Sequence, residues 1–317
     1  MSDIIMKTEC PVVTVSVLTY NSSKFVLETL ESIKAQTYPN LILQICDDCS
    51  TDNTVELCKK WIENNKNRFV KTSIIVPEHN TGVAANYNRS WEACETEYLK
   101  EIAGDDVLLP NCIEDNMKYV KEHPNAVFVF SRVKAFGASE ERIQYTENEL
   151  FIYDFFNWTP EQQYNQLYNK RNCLPAPTVF SNVSRIREVG LRHDERIPLL
   201  EDLPKWINAL KLGIAFYFLD KVTVMYRLHE KSLTNESPIN YYRSARLYYF
   251  YYHFLEDLKT DTEKVINDVV DYEIGMYERL IKEKEGEIQK FKNTYSYRLG
   301  HLLLLPLTKL KNLFDFS

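Results

Sequence analysis

Between residues 12 and 103 the chain alternates short, β-rich apolar runs with longer segments of helical periodicity, and this rhythm limits the fold more than any other feature. "VVTVSVLTY" (12–20) reads as a buried strand, and "SKFVLETLESIKAQ" (23–36) as a helix with Phe25, Val26, Thr29, Leu30 and Ile33 on one stripe. "LILQICDD" (41–48), "KTSIIVPE" (71–78) and "EYLKEIA" (97–103) read as further strands, separated by helical "TDNTVELCKKWIENN" (51–65) and "GVAANYNRSWEAC" (82–94). Strand, helix, strand, helix at these distances requires right-handed crossovers, hence an α/β fold with a mostly parallel central sheet and helices on both faces. Ligands of such sheets bind beyond the carboxyl ends of the strands.

The strand ends carry Thr19-Tyr20-Asn21, then Asp47-Asp48, then Asn80 and Gly82, and finally Asp105-Asp106 in "EIAGDDVLLP". Each alone is ordinary turn or helix-cap chemistry, and Asp52 in "STDNT" is best placed to cap the second helix. Four such ends on one rim, two of them paired carboxylates, ask for more. Adjacent carboxylates at the edge of a core are costly unless positive charge meets them. Mg²⁺ or Mn²⁺ would supply it, since both prefer oxygen ligands and bridge carboxylates to diphosphate oxygens. The turns carry neither GxGxxG nor GxxxxGK[ST], which argues against a dinucleotide oxidoreductase or a P-loop enzyme.

Composition narrows the partners. With 317 residues, 44% of them hydrophobic, the chain can bury a large α/β core. A formal charge of −7 argues against a nucleic-acid surface. Seven scattered cysteines form no zinc-like spacing, and Cys46 and Cys49 read as packing in a reducing compartment. "MSDIIMKTEC" lacks the apolar core of a signal peptide, and no apolar run approaches the ~20 residues needed to span a bilayer. The expected location is cytoplasmic.

"VSVLTYN", "AQTYPNLILQICDDCSTDNT", "NTGVAANYN" and "YLKEIAGDDVLLP", in that order, resemble the nucleotide-binding half of the family-2 type inverting glycosyltransferases of GT-A fold. With "PLLEDLPKW" and "MYRLHEKSLT" downstream, the resemblance covers roughly residues 10–235, divided into a nucleotide-binding half (10–110) and an acceptor half (111–235) within a domain of residues 1–235. Many members have Asp-X-Asp-Asp at the metal turn; here Ala103 stands at the first position, leaving Asp105 and Asp106. The resemblance implies a metal-dependent transfer of sugar from a nucleotide-diphosphate donor, with UDP expected, to a glycan or lipid-linked oligosaccharide acceptor. Because successive side chains of an extended segment point to opposite sides, Asp106 is expected to hold Mn²⁺ or Mg²⁺ and Asp105 to face the ribose or the metal's water shell, or the reverse. The resemblance adds His229 as a further metal ligand, and assigns Asp48 to the N3–H of uracil, Thr19 and Tyr20 to the nucleoside pocket, and Asn88 and Arg227 to the donor, Arg227 as a phosphate contact.

Direct displacement with inversion needs a general base on the acceptor side, and Asp202 in "LLEDLPKWINAL" is the candidate. The competing reading is structural: an Asp just ahead of Pro204 at a helix start makes a good cap. Glu201 would support it or touch acceptor. The segment 131–200, with "FFNWTP" and "CLPAPTVFS", should define the acceptor. Residues 236–317 form an expected helical extension with a coiled-coil-like seam from Val270 to Phe291 and an amphipathic tail, "SYRLGHLLLLPLTKLKNLF". The tail suits either a membrane surface, the inner face of a bacterial membrane by resemblance, or a docking or homodimer helix. Two rivals share parts of this pattern: a nucleotidyltransferase, which would release pyrophosphate, and a non-catalytic receiver-like module with aspartates at strand ends.

Overall fold

The computed structural model describes residues 10–169, 172–196 and 201–229 and, further on, 284–286, 288–290 and 292. The chain divides into two compact units, Met1–Tyr248 and Tyr249–Ser317. The expected seam and amphipathic tail lie outside the described residues, apart from short helical stretches within 284–292.

In chain order the elements are β1 (Val13–Thr19), α1 (Val26–Lys34), β2 (Leu41–Asp47), α2 (Thr54–Asn65), β3 (Lys71–Ile75), α3 (Val83–Ala93), β4 (Tyr98–Ala103) and β5 (Val107–Leu108). There follow α4 (Cys112–Glu122), β6 (Phe128–Phe136), α5 (Glu140–Tyr145), α6 (Pro160–Asn169), β7 (Phe180–Asn182), α7 (Val183–Glu188), α8 (Asp202–Lys211) and β8 (Phe216–Arg227). All seven elements expected between residues 12 and 103 are present. Helices α1 and α2 begin three residues later than their patterns suggest, because the preceding residues belong to the strand-end loops.

One sheet runs β3-β2-β1-β4-β7-β6-β8-β5. The first four strands are parallel, as the crossover argument requires. Beyond β4 the mostly parallel sheet takes in antiparallel strands: β7 is antiparallel to β4 and to β6, β8 is parallel to β6, and β5 is antiparallel to β8. The sheet is mixed because the chain re-enters β7 from the opposite end, after α5, α6 and irregular turns.

Strand β1 shows why both faces are covered. Val13, Val15 and Val17 belong to the apolar core with Val26, Leu30 and Ile33 of α1 and Cys58 and Trp61 of α2. The alternate residues Thr14 and Ser16 are just as buried, but on a polar interface: Ser90 of α3 donates to Ser16 Oγ at 2.9 Å, and Gln44 of β2 donates to Ser90 O at 3.0 Å. An alternation that looks half solvated is therefore buried on both sides, its polar members satisfied by hydrogen bonds. Strand order reverses at β1, which lies between β2 and β4, and that crevice is the switch point where a ligand is expected.

Candidate active site

Strands β2, β1 and β4 end level with one another, Thr19 beside Asp47 and Leu18 beside Ala103, so the residues that follow are gathered at one rim. Thr19 Oγ1 donates to Asp47 Oδ2 at 2.7 Å, and the same carboxylate accepts from Ser50 N at 2.7 Å and Ser50 Oγ at 2.6 Å. Asn21 and Cys49 hold the left-handed backbone, φ 51° and 63°, that non-glycine residues seldom adopt. Asn21 repays this locally, its Oδ1 accepting Thr51 N at 2.8 Å and Asp52 N at 3.3 Å. Asp52 starts α2 from two residues ahead: its Oδ1 accepts Thr54 N at 3.0 Å, while Oδ2 ties Ser23 N at 3.2 Å.

Asp48 turns toward the β3–α3 loop. Its oxygens accept from Thr81 N and Oγ1 and from Gly82 N, the closest contacts being 2.6 and 2.8 Å. Gly82, at φ 91°, allows the backbone that aims this N–H. These bonds orient the two residues expected at the nucleoside. Thr19 and Asp48 are 2% and 3% exposed and engaged by their own chain, so they shape the rim, while Tyr20 stands 49% exposed beside them. Asn88, expected at the donor, also bonds within the chain. Its Nδ2 donates to His193 O at 3.0 Å and to Glu195 Oε1 at 2.7 Å, and its Oδ1 accepts His193 N–H at 2.9 Å. It is the buried amide that satisfies the backbone of a loop lacking secondary structure. Outside it, an open polar groove of about 450 Å³ is lined by His79, Asn80, Thr81, Ala85, Asn88, Arg89, Glu92 and Glu195.

The acidic turn is built on Gly104, where a Cβ would stand 2.8 Å from Thr19 Cγ2 and 3.0 Å from Ser22 Oγ, so only glycine lets the turn lie against β1. The two aspartates then part. Asp106, 1% exposed, accepts Arg227 N–H from the end of β8 at Oδ1, 2.8 Å away. Asp105 stays partly exposed and meets His229 Nε2 at 2.9 Å through Oδ2. The imidazole joins Asp105, and Asp106 is the inward member, because β8 supplies its N–H. Burial, and then the charge of Asp105, hold the Asp106 carboxyl well above its ordinary range. Arg227, expected at a phosphate, is also bound within the chain. Its Nε donates to Asp105 O at 2.7 Å, its Nη2 pairs with Glu28 Oε2 at 2.5 Å, and its guanidinium lies 4.6 Å and 4.3 Å from the ring centres of Phe25 and Phe136. It is a clip that holds the turn to the start of α1.

Among the described residues no three His, Cys, Asp or Glu side chains form a group that could hold a metal ion. The chemistry of the turn suits a divalent cation all the same: the partly exposed Asp105 carboxylate and the His229 imidazole beside it are the oxygen and nitrogen donors that Mn²⁺ or Mg²⁺ accepts, with Asp106 turned inward behind them.

Glu201 and Asp202 stand at the start of α8. Asp202 Oδ2 accepts Asn172 Nδ2 at 2.5 Å and Oδ1 accepts Leu203 N at 2.6 Å. Asp202 is itself the first helical residue, with Glu201 at the cap position, and the one helical N–H its carboxylate accepts is that of the adjacent Leu203. Desolvation pushes its carboxyl up, and desolvation with the Asp202 charge pushes Glu201 up to about 7. The Tyr87 phenol is raised chiefly by desolvation and further by the charges of Glu201, Glu101, Asp202 and Asp106. Asn172, His193 and Lys205, which support Asp202, carried no sequence signal beyond being polar residues near an acidic pair.

A mixed sheet with paired aspartates at the end of a strand beside its switch point is the GT-A fold of glycosyltransferases. The chain belongs to glycosyl transferase family 2, whose sequence model matches residues 14–184. It is a glycosyltransferase. An Escherichia coli relative, the UDP-Glc:alpha-D-GlcNAc-diphosphoundecaprenol beta-1,3-glucosyltransferase WfaP, is 24% identical over 222 residues, 70% of this chain and 79% of that one. Among solved structures, residues 1–349 of Staphylococcus aureus TarS with UDP-GlcNAc superpose with a TM-score of 0.57 at 18% identity, covering 82% of this chain and 71% of the other. The mannosyltransferase PcManGT of Pyrobaculum calidifontis with GDP-Man and Mn²⁺ gives 0.59 at 16% identity, covering 98% and 89%.

Proposed function

We propose that this glycosyltransferase is a metal-dependent, inverting enzyme that moves a sugar from a UDP-sugar to a hydroxyl of a lipid-linked glycan acceptor during bacterial cell-surface polysaccharide synthesis. The observation that carries the reading is the pairing of Asp105 with His229 beside the inward Asp106 at the end of β4, with the Glu201–Asp202 pair at the start of α8 as a second acidic site. Asp105, Asp106 and His229 would hold Mn²⁺ or Mg²⁺, and the ion, when bound, supplies positive charge to the departing diphosphate. Arg227 and Glu28 keep the turn in place, and Tyr20 offers an exposed ring beside the nucleoside site. Asp202, aimed by Asn172, takes the proton of the attacking hydroxyl as it closes on the anomeric carbon from the face opposite the diphosphate. UDP-GlcNAc in TarS, GDP-Man with Mn²⁺ in PcManGT and the diphosphoundecaprenol acceptor in WfaP's name support the donor, metal and acceptor classes. Seven free cysteines favour the cytoplasmic side of the membrane, and among the described residues no helix is long and apolar enough to cross it.

The test is calorimetry of a panel of nucleotide sugars with and without Mn²⁺, followed by product analysis with lipid-diphosphate-linked saccharides. Binding of one donor that disappears in EDTA, and release of UDP, are expected. Metal-independent binding, or release of UMP or pyrophosphate, would overturn the proposal.

A further inference from the structure

Lys205 lies in the first turn of α8, three residues beyond Asp202, and is 2% exposed. An ammonium so enclosed is costly unless its surroundings are built for it. Here they are: Nζ stands 4.0 Å from the ring centre of Trp206, 5.4 Å from that of Trp91 and 5.5 Å from that of Tyr87, within reach of their π faces. It also donates to His193 Nε2 at 3.3 Å. The tautomer follows from the other nitrogen: His193 Nδ1 is 2.8 Å from Glu201 O, a carbonyl can only accept, so Nδ1 carries the proton and Nε2 offers its lone pair. Burial pulls the Lys205 ammonium down from its ordinary range, and the charges of Glu101 on β4 and of Asp202 and Glu201, three and four residues before it at the start of α8, oppose that; the phenol of Tyr87 from α3 and the imidazole of His193 are neutral. Glu101 Oε2 accepts Trp91 Nε1–H at 3.0 Å, and its buried Oε1 makes no hydrogen bond.

We propose that Lys205 is a positioning residue for sugar transfer: its ammonium is the counter-charge of the Glu201–Asp202 pair and, through His193, it fixes the carbonyl at which α8 begins. The inference rests on Asp202 being the base. Only an ionised carboxylate accepts the proton that leaves the acceptor hydroxyl, and Lys205's charge opposes the desolvation that raises the carboxyls of Asp202 and Glu201. Glu101 competes for the same cation, which gives a test of opposite signs.

The experiment records the pH dependence of transfer, at saturating donor and Mn²⁺, for the native enzyme, Lys205→Met, Glu101→Gln and Asp202→Asn, with donor affinity by calorimetry alongside. Methionine fills the aromatic box without charge. In Lys205→Met the acid limb should move up by about one pH unit or more, with activity recovering at high pH and donor affinity within about two-fold. In Glu101→Gln the limb should move down, because the ammonium then acts on the pair alone. A lysine that only packs would lower the rate equally at every pH. An unmoved limb in Lys205→Met, or shifts of the same sign in both variants, overturns the proposal. If Lys205→Met fails to bind donor, Glu101→Gln decides alone, an unmoved limb again overturning it. Native-like transfer by Asp202→Asn would instead overturn the base assignment, whereas an inactive Asp202→Asn with an unmoved Lys205→Met limb would overturn only the role of Lys205.

Discussion

Replacing Asp202 by asparagine removes a base and nearly keeps a shape, and the structure says how nearly. Both carboxylate oxygens accept, one from Asn172 Nδ2 at 2.5 Å and one from Leu203 N at 2.6 Å. An amide oxygen turned to Leu203 leaves the new NH₂ facing Asn172 Nδ2, donor against donor. Asn172 cannot simply turn over, because its Oδ1 accepts Leu174 N at 3.1 Å. Losing that bond costs about 1–3 kcal/mol. Removing a charge that desolvation already disfavours works the other way, so the net change in Tm should stay within about 4 °C. The rate should respond far more: loss of a general base lowers transfer by on the order of 10²- to 10⁴-fold, about 3–5 kcal/mol of barrier. Donor affinity should move less than about two-fold, since the acidic turn is untouched. The assay pairs UDP release in the presence of acceptor with calorimetric donor binding and a melting curve. A variant that transfers sugar within about tenfold of the native rate refutes the assignment, and attention passes to Glu201. Asp194 and Glu195 are weaker substitutes, the first paired with Arg196 and the second held by Asn88.

Gly104→Ala should lower Tm and abolish donor binding together, because its Cβ meets Thr19 Cγ2 at 2.8 Å and the turn must shift; overpacking of this kind costs about 1–3 kcal/mol, and unaltered donor affinity would show that the turn is not the site. Glu201, raised from 4.5 to about 7, contributes stability that is complete below 4.5 and is lost as pH climbs through 7. Glu201→Gln should therefore flatten the fall of Tm over that window, and a fall as steep as the native one would refute the assignment.

The first half of the sheet was legible because its signals are local. Val13, Val15 and Val17 need partners on one face, the helical stripe of α1 supplies them, and crossover geometry leaves the sheet little choice. The strand-end residues were legible for the same reason, since parallel register delivers them to one rim. The second half was not. β7 is three residues long, too short to show a period, and β6 pairs with β8 through two register irregularities around Arg132 that no local pattern announces. Lys205 is another silent case: in "LPKWINAL" it reads as a solvated lysine, and only the approach of Trp91 and Tyr87 from α3 makes its site an enclosed one.

The site residues divide along the same line. The sequence identifies carboxylates and hydroxyls at a rim, but not which of their bonds the protein has already made. Asp48, Thr19, Asn88 and Arg227 are each expected to touch donor, and each also hydrogen-bonds its own chain. Asp105 and Asp106 are adjacent and chemically identical, and what separates them is β8. The pairing of Val107 with Met225 brings Arg227 N–H onto Asp106 and His229 onto Asp105, from more than a hundred residues away. The turn therefore acquires its asymmetry, one carboxylate sealed and one presented beside an imidazole, only when the last strand closes on the sheet. Two halves that look separable in sequence are thus joined at the acidic turn.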